Sequence, residues 1–69
     1  MHARVKWFDN ARGWGFLVLE DGREVFVHQR DLEGQAKGFR ALRPGEEVEC
    51  DVAEGERGTH AARVRPRAN

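Results

Sequence analysis

The sequence predicts an all-β fold, a five-stranded antiparallel barrel, and three observations carry that expectation. Apolar side chains alternate with period two in several short runs, turn-forming Gly, Pro, Asp and Asn separate the runs, and no amphipathic helix of useful length appears. If a chain of 69 residues left such strands in an open sheet, it would expose long unpaired edges, which closure removes.

The first strand covers about residues 4–8 and ends at Asp9-Asn10-Ala11-Arg12-Gly13, a run of turn formers. The second covers 14–19. Asp21-Gly22 is a strong hairpin signal and leads into the third strand, 24–28, so the first three form a meander. Gln29 to Leu32 reads as one helical turn, followed by a long polar loop that carries Gly34, Gly38 and the isolated Phe39. Beyond the Pro44-Gly45 turn, Val48, Cys50 and Val52 alternate with Glu49 and Asp51, which marks a half-buried fourth strand over 47–53. Glu54 to Gly58 is a second Gly-rich turn, the fifth strand covers 60–65, and the tail from Pro66 is expected to fray. Five strands in this order fit an OB-like barrel. With no repeat, linker or low-complexity stretch, residues 1–69 read as a single domain.

Size and composition restrict function. A barrel this small has a thin core and little room for an elaborate active site, so non-enzymatic binding is expected, with no small-molecule substrate and no cofactor. Cys50 is the one cysteine, which excludes an internal disulfide and suits a reducing compartment. With neither a signal-peptide pattern nor a membrane-length apolar run, the expected setting is the cytoplasm, away from membranes. A metal site is not expected, because His2, His28, His60 and Cys50 lack ligand spacing. Alternation turns Cys50 toward the core, where a thiol stays protonated and inert. Gly13-Trp14-Gly15 is no dinucleotide fingerprint, since Val18 stands where the third glycine belongs and no helix follows.

Twelve basic and twelve acidic residues cancel. Arg4, Lys6 and Arg12 flank the aromatic segment, Glu46, Glu47, Glu49, Asp51, Glu54 and Glu56 cluster later, and Arg63, Arg65 and Arg67 close the chain. That distribution gives either one attracting and one repelling face or a mixed solvated surface.

The second and third strands are apolar on both faces. Trp14 and Phe16 point one way and Leu17 and Leu19 the other; Phe26 and His28 oppose Val25 and Val27. If the aliphatic set fills the barrel, the aromatic set lies outside, and so short a chain has no second layer to cover it. Exposed flat rings suit the stacking of nucleobases, since every base has a π-face. Gly13 and Gly15, lacking side chains, are expected to clear space beside the rings for another chain. Trp7 and Phe8 are neighbours on one strand and reach the same side only through a bulge, so Phe8 has a place in the core as its alternative.

Lys6-Trp7-Phe8, Arg12-Gly13-Trp14-Gly15-Phe16-Leu17 and Val25-Phe26-Val27-His28 together resemble the signature of bacterial cold-shock proteins, the last two segments resembling that family's ribonucleoprotein motifs. The resemblance continues through the Gly38-Phe39 loop, Glu54-Gly55-Glu56-Arg57-Gly58 and Ala61-Ala62-Arg63-Val64. It implies a five-stranded OB-like barrel that binds single-stranded RNA and DNA with little sequence preference and acts as a nucleic-acid chaperone in translation and transcription antitermination. By the same resemblance Trp7, Phe8, Trp14, Phe16, Phe26, His28 and Phe39 stack on or abut bases, while Lys6, Arg12 and Arg57 engage phosphates or base edges. The chain departs from the family pattern in having Gln29 where another aromatic is usual, Trp14 where Phe or Tyr is more frequent, Asp9 where Asn is common, and a loop from Glu33 to Arg43 about two residues longer. A monomer is expected, with strand exchange between barrels as the route to a dimer. The rival reading is a small barrel that binds a protein or peptide through the same aromatic patch, which leaves the Arg and Lys rim without a purpose.

The missing platform generates a test. Gln29→Phe is expected to tighten binding of an unpaired oligonucleotide by at least about five-fold, the lower end of what one stacked base contributes. An affinity unchanged by titration would mean that position 29 does not touch ligand.

Overall fold

The computed structural model describes residues 1–33, 42–56 and 58–66. Five strands, β1 (His2–Asp9), β2 (Trp14–Leu19), β3 (Glu24–His28), β4 (Glu47–Gly55) and β5 (Gly58–Pro66), close into a barrel in the order β1-β2-β3-β5-β4. Paired strands run antiparallel except at the β3–β5 seam, where Phe26 pairs with His60 in parallel. Among the described residues no helix is long and apolar enough to cross a membrane.

Local chemistry makes the connections. Asp9 Oδ1 accepts from the amides of Ala11 and Arg12, both at 3.0 Å, and its carbonyl accepts from Gly13 N at 2.7 Å, which closes the β1–β2 loop as an Asx turn. In the β2–β3 hairpin Leu19 N donates to Arg23 O, and Gly22 takes the left-handed φ of 95° that this three-residue loop demands. Asp21 Oδ1 accepts from Arg23 N, and this bond draws the carboxyl pKa below its ordinary value. A 3₁₀ turn, Gln29–Asp31, follows β3 under a reciprocal cap: His28 Nδ1 accepts from Arg30 N at 3.1 Å, and Asp31 Oδ2 accepts from His28 N at 3.2 Å. Leu32 then bridges to Val64, and Glu33 N donates to Val64 O, which ties the turn to β5.

The core is the inward set of each strand. Val5, Leu17, Leu19, Val25, Val27, Val48, Cys50 and Val64 are buried, with Ala3, Ala61, Leu32 and Leu42 completing the cluster. Removing a Leu or Ile from such a core typically costs about 2–5 kcal/mol. Burial also raises the Cys50 thiol pKa, so the sulfur stays a protonated, apolar packing group.

Two bulges shape the barrel. In β1 the register jumps from Val5↔Leu17 to Trp7↔Phe16, so Lys6 is the extra residue. Opposite Phe8 sits Gly15, where a Cβ would come within 2.6 Å of the Phe8 Cα and 2.9 Å of its Cδ1. Over Gly13, at φ 83°, a Cβ would meet the Gln29 carboxamide at 2.6 Å. The space these glycines leave is therefore filled by the chain's own β1 and Gln29, a correction to the expectation that it admits another chain. The second bulge lies in β5, where the register passes from Ala62↔Asp51 to Arg65↔Glu49 and sets Arg63 and Val64 against Cys50. Arg63 adopts φ 53°, a left-handed conformation that side chains with a Cβ disfavour by roughly 1–2 kcal/mol.

The charged surface is mixed, not divided. Since β1 lies beside β4, Arg4 and His2 reach Glu47 at 3.6 and 3.0 Å, while Arg63 faces Asp51 at 3.4 Å and Glu33 at 3.7 Å. Non-local pairing brings together charges that the linear sequence segregates.

Arg63→Gly and Arg63→Ala both delete these exposed ion pairs, each worth under about 1 kcal/mol. The glycine variant is nevertheless expected to be more stable than the alanine variant by about 1 kcal/mol, because only alanine keeps the left-handed strain. Urea unfolding of the two checks this; the reverse order, usual inside a strand, would refute it.

Candidate nucleic-acid interface

The bulge at Lys6 determines what the outer face displays. Strict alternation would send Trp7 inward after Ala3 and Val5; one extra residue reverses the parity and leaves it outside. The rungs of the meander then line up rings. Trp7 pairs with Phe16, Phe16 with Phe26, and Phe26 with His60, while in the next row Asp9 pairs with Trp14 and Trp14 with His28.

These rings support one another. Trp7 and Trp14 meet edge to face with centroids 5.0 Å apart, Phe16 meets Phe26 edge to face at 5.9 Å, and Trp14 stacks on Phe26 at 5.9 Å with an interplanar angle of 28°. Trp7 and Phe16 complete the group at 5.7 Å. Such pairs contribute about 0.5–1.5 kcal/mol each beyond area burial, which holds the rings in place without covering them. Trp7 remains 37% and Phe26 36% exposed, and Trp14 and Phe16 are half-buried. The result is a fixed, partly wet aromatic surface beside a dry aliphatic core.

The remaining expected residues occupy different surroundings. Phe8, past the bulge, is half-buried and packs against the core cluster. Lys6 reaches across β2 to Glu24, Nζ to Oε2 at 2.9 Å, with both side chains about half exposed. Arg12 is well exposed and lies 3.8 Å from the Asp9 carboxylate, whose other oxygen holds the loop leading into Trp14. The His28 ring adjoins Trp14 in the pairing, and its Nδ1 is occupied as an acceptor, which places the neutral ring's proton on Nε2. Gln29 is exposed, with its amide side chain over Gly13 and its backbone N donating to Gly13 O at 2.7 Å. Phe39 and Arg57 lie outside the described residues.

Sequence reasoning missed three residues on this side of the barrel: Glu24, the partner of Lys6, and Arg30 and His60, which border the groove beside Phe26. Only the parallel β3–β5 register reveals His60, and only the β1 bulge aims Lys6 at Glu24. Among the described residues no cluster of three or more His, Cys, Asp or Glu is placed to hold a metal ion.

Comparison with known proteins agrees with this geometry. The family model for the 'Cold-shock' DNA-binding domain matches residues 1–67. The chain is 45% identical over 64 residues to the cold shock-like protein CspB of Bacillus cereus, covering 93% of this chain and 95% of that protein. It is 44% identical over 61 residues to the cold shock protein CspB of Geobacillus stearothermophilus, covering 88% and 89%. A cold shock-like protein of Thermotoga maritima is 42% identical over 65 residues, covering 94% and 96%.

Exposed ion pairs are weak, so Glu24 acts as an internal competitor for the Lys6 ammonium. Glu24→Gln is expected to steepen the slope of log affinity against log salt by about 0.7, the contribution of one added phosphate contact on a single strand. A slope equal to that of the unaltered protein would mean that Lys6 meets no phosphate.

Proposed function

The chain belongs to the cold-shock DNA-binding domain family, and on that premise we propose that it binds single-stranded RNA and DNA without catalysis, as a nucleic-acid chaperone of low sequence preference. One observation carries the reading: four aromatic rings, from Trp7, Trp14, Phe16 and Phe26, form a contiguous, partly exposed cluster on one side of a barrel whose core is already filled by aliphatic residues. Bases stack on such rings irrespective of sequence, and the accessible rings are absent from the interior where they would serve stability instead. Lys6 and Arg12 stand at the edge of the cluster, each beside a carboxylate that phosphate displaces at little cost.

The mechanism is thermodynamic. A surface that accepts bases by their faces binds an unpaired strand and rejects a duplex, whose bases are stacked on one another. Preferential binding lowers the free energy of the open state by RT ln(1 + [L]/Kd), so hairpins shift toward single strands without ATP or metal. A site of about six or seven nucleotides suits a barrel of this type. In this reading the chain acts as one cold-shock domain, a monomer in the cytoplasm, and its strand-holding bears on translation and on transcription antitermination.

Tryptophan fluorescence tests the proposal directly, because both indoles lie in the cluster. Oligo-dT or oligo-U is expected to quench it, with affinity falling as salt rises. Trp14→Ala is expected to cost roughly 1–3 kcal/mol of binding and to leave the unfolding midpoint nearly unchanged. No quenching at micromolar oligonucleotide, or a loss of stability as large as the loss of binding, would overturn the reading.

A further inference from the structure

The ring row does not stop at β3. Phe26 pairs with His60 across the seam, and the imidazole lines a groove of about 520 Å³ together with Phe26, His28, Arg30, Asp31 and Glu56. His60 Nδ1 lies 3.1 Å from the carbonyl of Ala61, to which it must donate, so the neutral ring carries its proton there and leaves Nε2 as a bare acceptor. Glycine at position 55 gives the ring its bed: a Cβ there would come within 3.4 Å of both Cδ2 and Nε2. The ring is half-buried and held by two independent contacts, as a recognition group is and a freely rotating surface histidine is not.

We propose that His60 belongs to the interface and forms, with Phe26, a subsite for one nucleobase that favours a base bearing an exocyclic amino group. This inference rests on the nucleic-acid-binding reading above. The groove walls decide the preference. His60 Nε2 and the Asp31 and Glu56 carboxylates are acceptors, whereas Arg30 supplies the positive charge at the same groove. A phosphate among two carboxylates is repelled, so the base enters the groove and the backbone passes on the Arg30 side. Cytosine and adenine bring an amino donor to such walls, where thymine and uracil bring a carbonyl oxygen at the equivalent place. Cytosine and thymine are close in size, so exchanging one for the other isolates the donor from the stack.

The test is a scan. Fluorescence titrations of dT7 and of its seven single-dC variants are expected to give one position at which dC binds about five-fold tighter, the effect of one net hydrogen bond. In His60→Ala that preference should vanish. His60→Phe, which keeps a ring but no acceptor, should bind dT7 as the unaltered protein does and show no dC preference; it serves equally if the alanine variant fails to fold. A flat scan with dT7 still quenching would overturn the His60 subsite and leave the general reading intact, as would a dC preference that survives both substitutions. Absence of quenching by dT7 itself would overturn the general reading instead.

Discussion

A pleated strand turns alternate residues to opposite faces, and β1 would bury Trp7 behind Ala3 and Val5 if its pairing with β2 ran without interruption. One inserted residue, Lys6, reverses the parity. The reversal holds because Gly15 allows β1 to lie against β2 at Phe8, where any Cβ would collide with backbone. Trp7 outside, Phe8 against the core and Lys6 directed toward Glu24 are three consequences of one local shift in register. The aromatic surface and its charged edge thus have a common origin in backbone geometry.

The surface also resolves the tension between a neutral chain and a polyanionic partner. Lys6, Arg12, Arg4 and Arg63 each lie within ion-pair distance of a carboxylate, so little unbalanced positive field extends from the barrel. Attraction over distance is correspondingly weak, and the binding free energy must come mainly from contact with rings. Contact of this kind favours short residence and indifference to sequence, both suited to a protein that occupies strands transiently. Asp9 belongs to the same economy: one carboxylate oxygen organises the loop before Trp14, and the other faces Arg12.

What was legible in the sequence was whatever depends on near neighbours. Alternation in β2, the Asp21-Gly22 hairpin, the short turn after His28 and the inward aim of Cys50 are properties of a few adjacent residues, and each was readable before any pairing was known. The need for a bulge near Trp7 and Phe8 was readable too, but not that Lys6 would be the inserted residue, because this depends on how β1 docks against Gly15. Strand ends were underestimated: β4 and β5 run on to Gly55 and Gly58, since a tight turn lets pairing continue where composition suggests a loop. His60 on the aromatic side, the neutralised acidic strand and the left-handed Arg63 arise from contacts between segments far apart in the chain. No local pattern encodes them.

The β3–β5 seam joins these themes. Among the described residues it is closed by the Phe26–His60 pair, with the Leu32–Val64 bridge and the Glu33 amide beyond it. The other strand pairs are zipped over longer registers. A nucleotide chain lying across Phe26 toward β5 would fasten the two margins from outside, much as a suture draws a slit together. The guest would then complete the wall of its host, and occupancy would stiffen the barrel along the line where its own backbone grips least.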